Sequence, residues 1–123
     1  MTDNQFLKSY LEDLSNLLKP DDDLIKSLIC IRDLLLEVKS HNKKILIFGN
    51  GGSASIASHI SVDLTKNAGL RCLNFNEASL ITCFANDYGF EHWVEKAIDF
   101  YGDEGDLLIV ISSSGQSENM LNG

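Results

Sequence analysis

Two short apolar segments, residues 44–48 and 107–111, each pass directly into a loop rich in glycine or serine and then into a helical pattern. Neither segment alternates between apolar and polar residues, which indicates strands covered on both faces, as in a parallel sheet between helices. Residues 70–75 predict one further strand. Strands that alternate with helices in this way predict an α/β three-layer sandwich with a parallel sheet and right-handed crossovers.

Most of the remaining chain carries helical patterns. Apolar residues recur at three- and four-residue spacing over 6–18, and Lys19-Pro20 ends that helix. Aspartates at the start of 22–40 favour a second helix, because the N-terminal end of a helix attracts negative charge. Helices are also predicted over 53–66 and 90–100, whereas 80–84 is too short to assign and 86–89 predicts a turn.

The second helix is apolar over more than the narrow stripe that packing on one partner requires. Its apolar residues are Leu24, Ile25, Leu28, Ile29, Ile31, Leu34, Leu35, Leu36 and Val38. We therefore expect residues 1–41 to form N-terminal helices that associate with other copies, and 42–123 to form an α/β domain. A last helix starts near Glu118 with little room before Gly123, so we expect a chain truncated after its third strand.

The net charge argues against nucleic acid as a partner. Ten Lys and Arg against eighteen Asp and Glu give −8, which leaves no cationic surface for phosphodiester backbones or anionic lipids. The apolar runs are far shorter than the roughly 20 residues that span a bilayer, and no secretion signal is present, so we expect a soluble, cytoplasmic protein. All the cysteines stand among apolar residues and are predicted to be buried, reduced thiols: Cys30, Cys72 and Cys83.

The loop after the last strand is rich in hydroxyls, from Ser112, Ser113, Ser114 and Ser117, and Gly115 lets a ligand approach the backbone. A helix N-terminus follows, which favours an anion. A hydrogen bond to a charged group contributes about 1.5–3 kcal/mol, so several hydroxyls can hold a phosphate monoester without Lys or Arg. An ordinary serine-rich turn with a helix cap is the alternative.

The loop after the first strand reads Gly49-Asn50-Gly51-Gly52-Ser53. It lacks the Gly-Lys-Ser/Thr of a P-loop, and Ala54 replaces the last glycine of the dinucleotide motif, so a nucleotide is disfavoured. A plain strand-to-helix turn is the alternative. Open α/β sheets bind ligands at the carboxyl ends of their strands, so this loop and the serine loop share one region if their strands are neighbours.

Three other positions carry possible chemistry. His59 and Asp63 lie four residues apart on one helix face, a spacing that suits a shared metal or a proton-transfer pair, with a surface contact as the alternative. Asp87 either forms the turn over 86–89 or reaches a sugar hydroxyl. Helical spacing predicts that a further set belongs to the core: Phe90, Trp93, Val94 and Ala97.

Four motifs, in their order and spacing, resemble the sugar isomerase (SIS) domain family and, within it, the phosphoheptose isomerases. They are Gly-Asn-Gly-Gly-Ser at 49–53, Ala-Asn-Asp-Tyr-Gly at 85–89, Gly-Asp-Leu-Leu at 105–108 and Ile-Ser-Ser-Ser-Gly-Gln-Ser at 111–117. The resemblance implies a flavodoxin-like fold, with 42–123 as the first part of a SIS domain that binds a sugar phosphate. It also implies isomerisation of sedoheptulose 7-phosphate to D-glycero-D-manno-heptose 7-phosphate, for lipopolysaccharide or capsule, by a homotetramer whose N-terminal helices form a central bundle.

The resemblance also implies roles for individual residues. The phosphate would be held by Ser112, Ser113, Ser114 and Ser117, and the rest of the substrate site would be lined by Asn50, Gly51, Gly52, Ser53 and Asp87. His59 and Asp63 would be catalytic residues and zinc ligands. Asp63 stands where the family usually has Glu, and a carboxylate misplaced by about one bond length can lose around 10²-fold in rate.

The family's second half would add a Gln and a His to the metal site, so the resemblance implies that this chain alone is inactive. Two other functions remain open. One is a non-catalytic SIS module that binds a sugar phosphate or a protein partner in a regulatory role. The other is a domain for a six-carbon amino sugar phosphate, because the serine loop recognises the phosphate and not the length of the sugar.

Overall fold

The computed structural model describes residues 1–123 and contains a three-stranded parallel sheet and six α-helices. The strands are β1 (Lys44–Gly49), β2 (Arg71–Asn74) and β3 (Leu107–Ile111). The helices are α1 (Asp3–Leu17), α2 (Asp22–Ser40), α3 (Gly52–Lys66), α4 (Ala78–Tyr88), α5 (Trp93–Tyr101) and α6 (Glu118–Asn122), and a 3-10 turn over Phe90–His92 precedes α5. The three predicted strands and the predicted alternation with helices are confirmed.

The chain divides into two compact units, Met1–Asp33 and Leu34–Gly123. The first unit contains α1 and most of α2. A capping box starts α1, in which Thr2 Oγ1 accepts from the Gln5 N–H and Gln5 Oε1 accepts from the Thr2 N–H. Every residue of this unit is exposed, including the leucines and isoleucines of both helical patterns.

The second unit is built around β1, because the strand order is β2-β1-β3. On one face of the sheet, Ile45 and Ile47 pack in a cluster with Val38, Ala57, Leu70 and Cys72. On the other face, Leu46 and Phe48 pack in a cluster with Trp93, Val94, Ala97 and Met120. Helices therefore cover both faces, and the predicted three-layer sandwich is confirmed.

The predicted turn over 86–89 is wrong, because residues 86–88 belong to α4, and the unassigned segment 80–84 lies in the same helix. Glu77 caps this helix by accepting the Leu80 N–H at 3.0 Å. Hydrogen bonds from the backbone N–H groups of Ser79 and Leu80 hold the pKa of Glu77 below its ordinary value. The helix ends at Gly89, which has a φ of 94°. Polar residues before a glycine end a helix as readily as they form a turn, which explains the error.

Two other burial predictions need correction. Trp93, Val94 and Ala97 are buried as predicted, but Phe90 is exposed because it lies in the 3-10 turn before α5. Cys72 is buried, and its burial raises the pKa of the thiol to about 11. Cys30 and Cys83 are exposed, on the outer surfaces of α2 and α4, and no disulfide forms.

None of the helices combines the length and the apolar character that crossing a membrane requires.

An ion-pair cluster joins the start of β1 to the segment before β3. The Asp106 carboxylate accepts from the backbone N–H groups of Lys44 at 2.9 Å and Asp103 at 2.8 Å. Lys44 Nζ lies 2.5 Å from the carboxylates of both Asp103 and Asp106. Burial opposes the ionisation of Asp106, but these hydrogen bonds outweigh it and hold the pKa of Asp106 below its ordinary value. The cluster therefore stabilises the alignment of β1 with β3.

Candidate functional site

The loops that follow β1 and β3 lie side by side. The two strands pair in parallel, with Gly49 opposite Ile111 at their carboxyl ends. Asn50 and Ser112, which follow these residues, therefore begin their loops at the same edge of the sheet. The prediction that the two strands are neighbours is confirmed. Since β2 lies on one side of β1 and β3 on the other, the strand order reverses at this edge, and open α/β sheets bind their ligands at such a point.

A reciprocal pair of side-chain amides connects the two loops. Asn50 Nδ2 donates to Asn119 Oδ1, and Asn119 Nδ2 donates to Asn50 Oδ1, both at 2.9 Å. Asn119 lies in α6 and is only 3% exposed. Asn119 is not among the site residues predicted from the sequence, because no local pattern marks an Asn in this helix as the partner of Asn50.

The serine loop is shaped by its own hydroxyls. Ser112 Oγ accepts the Gly115 N–H at 3.1 Å, and Ser114 Oγ accepts the Gln116 N–H at 3.2 Å. A hydroxyl carries one hydrogen and two lone pairs, so both hydroxyls keep their hydrogen for donation to a ligand. Gly115 has a φ of 64°, which suits glycine, and Ser117 makes no capping bond to α6. Ser113 and Ser114 are exposed, and Ser112 and Ser117 are half-buried.

The loop after β1 is compact at its start and open beyond it. A Cβ at Gly49 would lie 2.4 Å from the backbone carbonyl of Ser53, so only glycine fits there. Gly51, with a φ of 54°, and Gly52 have no atoms within 4 Å of where a Cβ would lie. These two glycines thus leave open space beside Asn50 and Ser53, both of which are half-buried.

Side-chain amides also donate hydrogen bonds to β1 on its other side, beyond the end of β2. Because β2 ends at Asn74, opposite Ile47, the last carbonyls of β1 have no strand partner on that side. Asn74 Nδ2 donates to the Ile47 carbonyl, and Asn76 Nδ2 donates to the Gly49 carbonyl, both at 2.9 Å. Ser58 Oγ donates to Asn74 Oδ1 at 3.0 Å. This network, which the sequence analysis missed, fixes the strand end that carries Asn50.

A cavity of about 310 Å³ opens at this edge, lined by Asn50, Phe90, Glu91, Ser117, Glu118 and Asn119. Its lining holds two carboxylates and no cationic side chain, so it favours neutral hydroxyl groups over a phosphate. Among the predicted site residues, it brings Asn50 and Ser117 together. A larger cavity of about 370 Å³ lies between the end of α2 and the start of β3, and none of the predicted site residues lines it.

The structure does not bring His59, Asp63 or Asp87 to the lining of the smaller cavity. His59 Nε2 lies 3.4 Å from Asp63 Oδ2 on the solvent-facing side of α3, with side chains 80% and 52% exposed. Asp63 Oδ1 also accepts from Asn67 Nδ2 at 3.2 Å. Asp87 is exposed in the last turn of α4, where it accepts from Asn86 Nδ2 at 2.9 Å.

His59 and Asp63 do not by themselves fit a zinc ion. Catalytic zinc sites have three protein ligands and a water, and structural sites have four. No group of three or more His, Cys, Asp or Glu side chains that could hold a metal forms anywhere in the chain. The pair therefore offers at most two of the donors that a zinc site needs.

Comparison with known proteins gives consistent matches. The family profile described as the SIS domain matches residues 5–123. The chain is 39% identical over 127 residues to a phosphoheptose isomerase of Helicobacter pylori, covering 98% of this chain and 66% of that protein. It is 41% identical over 92 residues to a phosphoheptose isomerase of Fusobacterium nucleatum, covering 71% of this chain and 47% of that protein. The chain thus spans less than two thirds of the length of these curated relatives.

A solved structure shows the same fold. The structure of a phosphoheptose isomerase from Francisella tularensis superposes with a TM-score of 0.88 at 28% identity. The superposition covers 99% of this chain and 68% of that one. The paired strands and the two loops at their carboxyl ends thus belong to an architecture already observed by experiment.

Proposed function

The chain belongs to the SIS domain family, and we propose that it serves the isomerisation of sedoheptulose 7-phosphate to D-glycero-D-manno-heptose 7-phosphate. The observation that carries the proposal is the parallel pairing of β1 with β3, which sets a hydroxyl-rich loop beside Asn50 and an open cavity. The names of the two curated relatives support the same reaction. The product would supply heptose for lipopolysaccharide or capsule.

In this proposal the serine loop binds the phosphate. Ser112 and Ser114 use lone pairs to accept backbone N–H groups, so their hydrogens are free to donate to phosphate oxygens. Ser113 and Ser117 add two hydroxyls whose side chains are not engaged in capping or turn bonds. Hydrogen bonds to a charged group are about twice as strong as neutral ones, so these hydroxyls can hold a phosphate even though the chain carries a net negative charge.

The neutral part of the sugar then extends toward the cavity lined by Asn50 and Glu91. Carboxylate and amide oxygens accept hydrogen bonds from hydroxyl groups, whereas carboxylates repel a phosphate. Gly51, Gly52 and Ser53 contribute the open backbone beside Asn50. A role for Asp87 in contacting the sugar remains part of the proposal, although its side chain does not line this cavity.

The isomerisation requires a base to remove a proton from the carbon beside the carbonyl and an acid to return one to the neighbouring carbon. Asp63 is our candidate for the base, with His59 beside it. We propose that both also contribute ligands to a zinc ion whose remaining ligands come from outside these residues. Both side chains are exposed, so another segment or another copy can reach them.

We propose that the protein forms a homotetramer through the helices of its first unit. Supporting this, the apolar side chains of the first unit, Met1–Asp33, are exposed, among them Leu11 and Leu28 at 61% and 52%. Exposed apolar surface of this extent marks an interaction surface. The three unpaired cysteines suit the reducing cytoplasm, where we propose that the protein acts.

The proposal is tested by titration calorimetry of the chain with sedoheptulose 7-phosphate, unphosphorylated sedoheptulose and glucosamine 6-phosphate. We expect binding of the first and much weaker binding of the second, because the serine loop recognises phosphate. Preference for the amino sugar phosphate would reassign the substrate. Turnover is measured by NMR on the complete protein. If that protein binds sedoheptulose 7-phosphate without converting it, the proposed isomerase activity is excluded.

A non-catalytic module that binds a sugar phosphate is the second candidate. The observation that favours it is the exposed His59–Asp63 pair, which lies outside the cavity and lacks further metal-binding groups. The turnover assay separates the two candidates directly. In the complete protein, Asp63→Asn should lower turnover by about 10²–10⁴-fold with little change in phosphate affinity if Asp63 is the base.

A further inference from the structure

We propose that Asn119 is a positioning residue, which holds the side chain of Asn50 in the orientation that the substrate site requires. This inference rests on the proposed function, because it assigns Asn50 to the sugar site. Asn119 itself is 3% exposed, so it acts on a ligand chiefly through Asn50. Asn50 lies in the loop after β1 and Asn119 lies in α6, 69 residues further along the chain.

The geometry of the pair explains why it fixes one orientation. A side-chain amide has one oxygen and one nitrogen, and the reciprocal pairing satisfies both ends of both groups. Turning either amide by half a rotation would place oxygen against oxygen and nitrogen against nitrogen. Since Asn119 is only 3% exposed, solvent compensates poorly for the lost bonds. The Asn50 amide therefore presents its remaining lone pair and N–H in fixed directions.

The same pair couples the two loops of the site. Asn50 follows β1 and precedes α3, whereas Asn119 lies two residues beyond Ser117 of the serine loop. Both amides line the cavity of about 310 Å³. A phosphate that orders the serine loop should therefore also favour the amide pair. Loss of the pair should weaken binding of the sugar part of the ligand more than binding of inorganic phosphate.

The test is a double-mutant cycle in the full chain with Asn119→Leu, Asn50→Ala and the double variant. We expect Asn119→Leu to weaken sedoheptulose 7-phosphate binding about tenfold when Asn50 is present and to have little effect when residue 50 is alanine. Equal effects in both backgrounds, or no effect in either, would overturn the proposal. Leu121→Ala, a substitution of a 67% exposed residue in the same helix, serves as the control and should leave affinity unchanged.

A second measurement needs no ligand. In ¹⁵N-labelled protein, the Asn50 Nδ2 proton that bonds Asn119 Oδ1 should exchange slowly with solvent, and its exchange should become faster in Asn119→Leu. An exchange rate that does not change in the variant would refute the positioning role. If Asn119→Leu does not fold by circular dichroism, Asn119→Ala replaces it in both measurements, since it also removes both the acceptor and the donor that face Asn50. Wild-type chain that shows the protected Asn50 proton but binds no sugar phosphate would refute the proposed function and leave the amide pairing standing.

Discussion

Replacement of Asp106 by Asn should destabilise the fold strongly, and the effect should disappear in acid. The Asp106 side chain is 6% exposed and that of Lys44 is 14% exposed. Three donors converge on the carboxylate: the N–H groups of Lys44 and Asp103 and the ammonium of Lys44. Asparagine can replace one acceptor oxygen, but its NH₂ group would face a donor.

Breaking a buried pair by neutralising one partner costs about 3–5 kcal/mol, and Lys44 keeps Asp103 as a second partner, so we expect about 3 kcal/mol. The Asp103 side chain is 77% exposed, and Asp103→Asn is the matched control. It should cost less than about 1 kcal/mol, because exposed ion pairs contribute little. Urea unfolding, followed by the fluorescence of the single, buried Trp93, measures both variants.

The pH dependence follows from the lowered pKa of Asp106. The folded-state pKa lies below the ordinary value of 3.8. A carboxylate of this kind stabilises the folded state at pH values above its unfolded pKa, and the stabilisation is lost as the pH falls through the folded pKa. The difference in free energy of unfolding between wild type and Asp106→Asn should therefore be largest at pH 7 and should narrow below a pH of about 4. A loss of stability no larger than that of Asp103→Asn at pH 7, or one that does not narrow in acid, would refute this reasoning.

Three further outcomes follow from the described contacts. Ser114→Ala should weaken sedoheptulose 7-phosphate binding by about tenfold or more and leave any binding of unphosphorylated sedoheptulose unchanged, measured by calorimetry, because one charge-assisted hydrogen bond is lost. Leu28→Asp should reduce the mass of the oligomer in light scattering, since it places a charge on the exposed apolar surface of α2. At pH 8 a thiol reagent should label Cys83 much faster than Cys72, whose pKa is about 11 and whose side chain is buried; equal rates would contradict this.

The arrangement of strands was predictable because it depends on local patterns. Unbroken apolar residues over 44–48 and 107–111 identify the strands, and the glycine and serine loops mark their ends. The prediction of coverage on both faces is right for β1 and wrong for β3, which is at the edge of the sheet and leaves Val110 42% exposed. The end of α4 was not predictable in the same way. Asn86, Asp87 and Gly89 favour a turn locally, and only the packing of Leu80, Ile81 and Phe84 against the sheet decides for a helix.

The candidate site was predictable in its loops and not in its internal contacts. The sequence contains Asn50 and the serines in recognisable motifs, but the amides of Asn74, Asn76 and Asn119 become meaningful only through contacts across the sheet. Neighbouring strands meet through residues that are distant in the chain, so no local pattern records which amide pairs with which.

The alignment of β1 with β3 is fixed at both ends by polar groups, and the site depends on that alignment. At the amino ends, Lys44 and Asp106 pair across the two strands. At the carboxyl ends, Asn50 and Asn119 pair across the two loops. The segments 44–48 and 107–111 are apolar without alternation, so their hydrophobic pattern alone does not select one register. A shift would separate Asn50 from the serine loop, so the ion pair at Lys44, six residues before Asn50, helps to keep the site assembled even though it contacts no ligand.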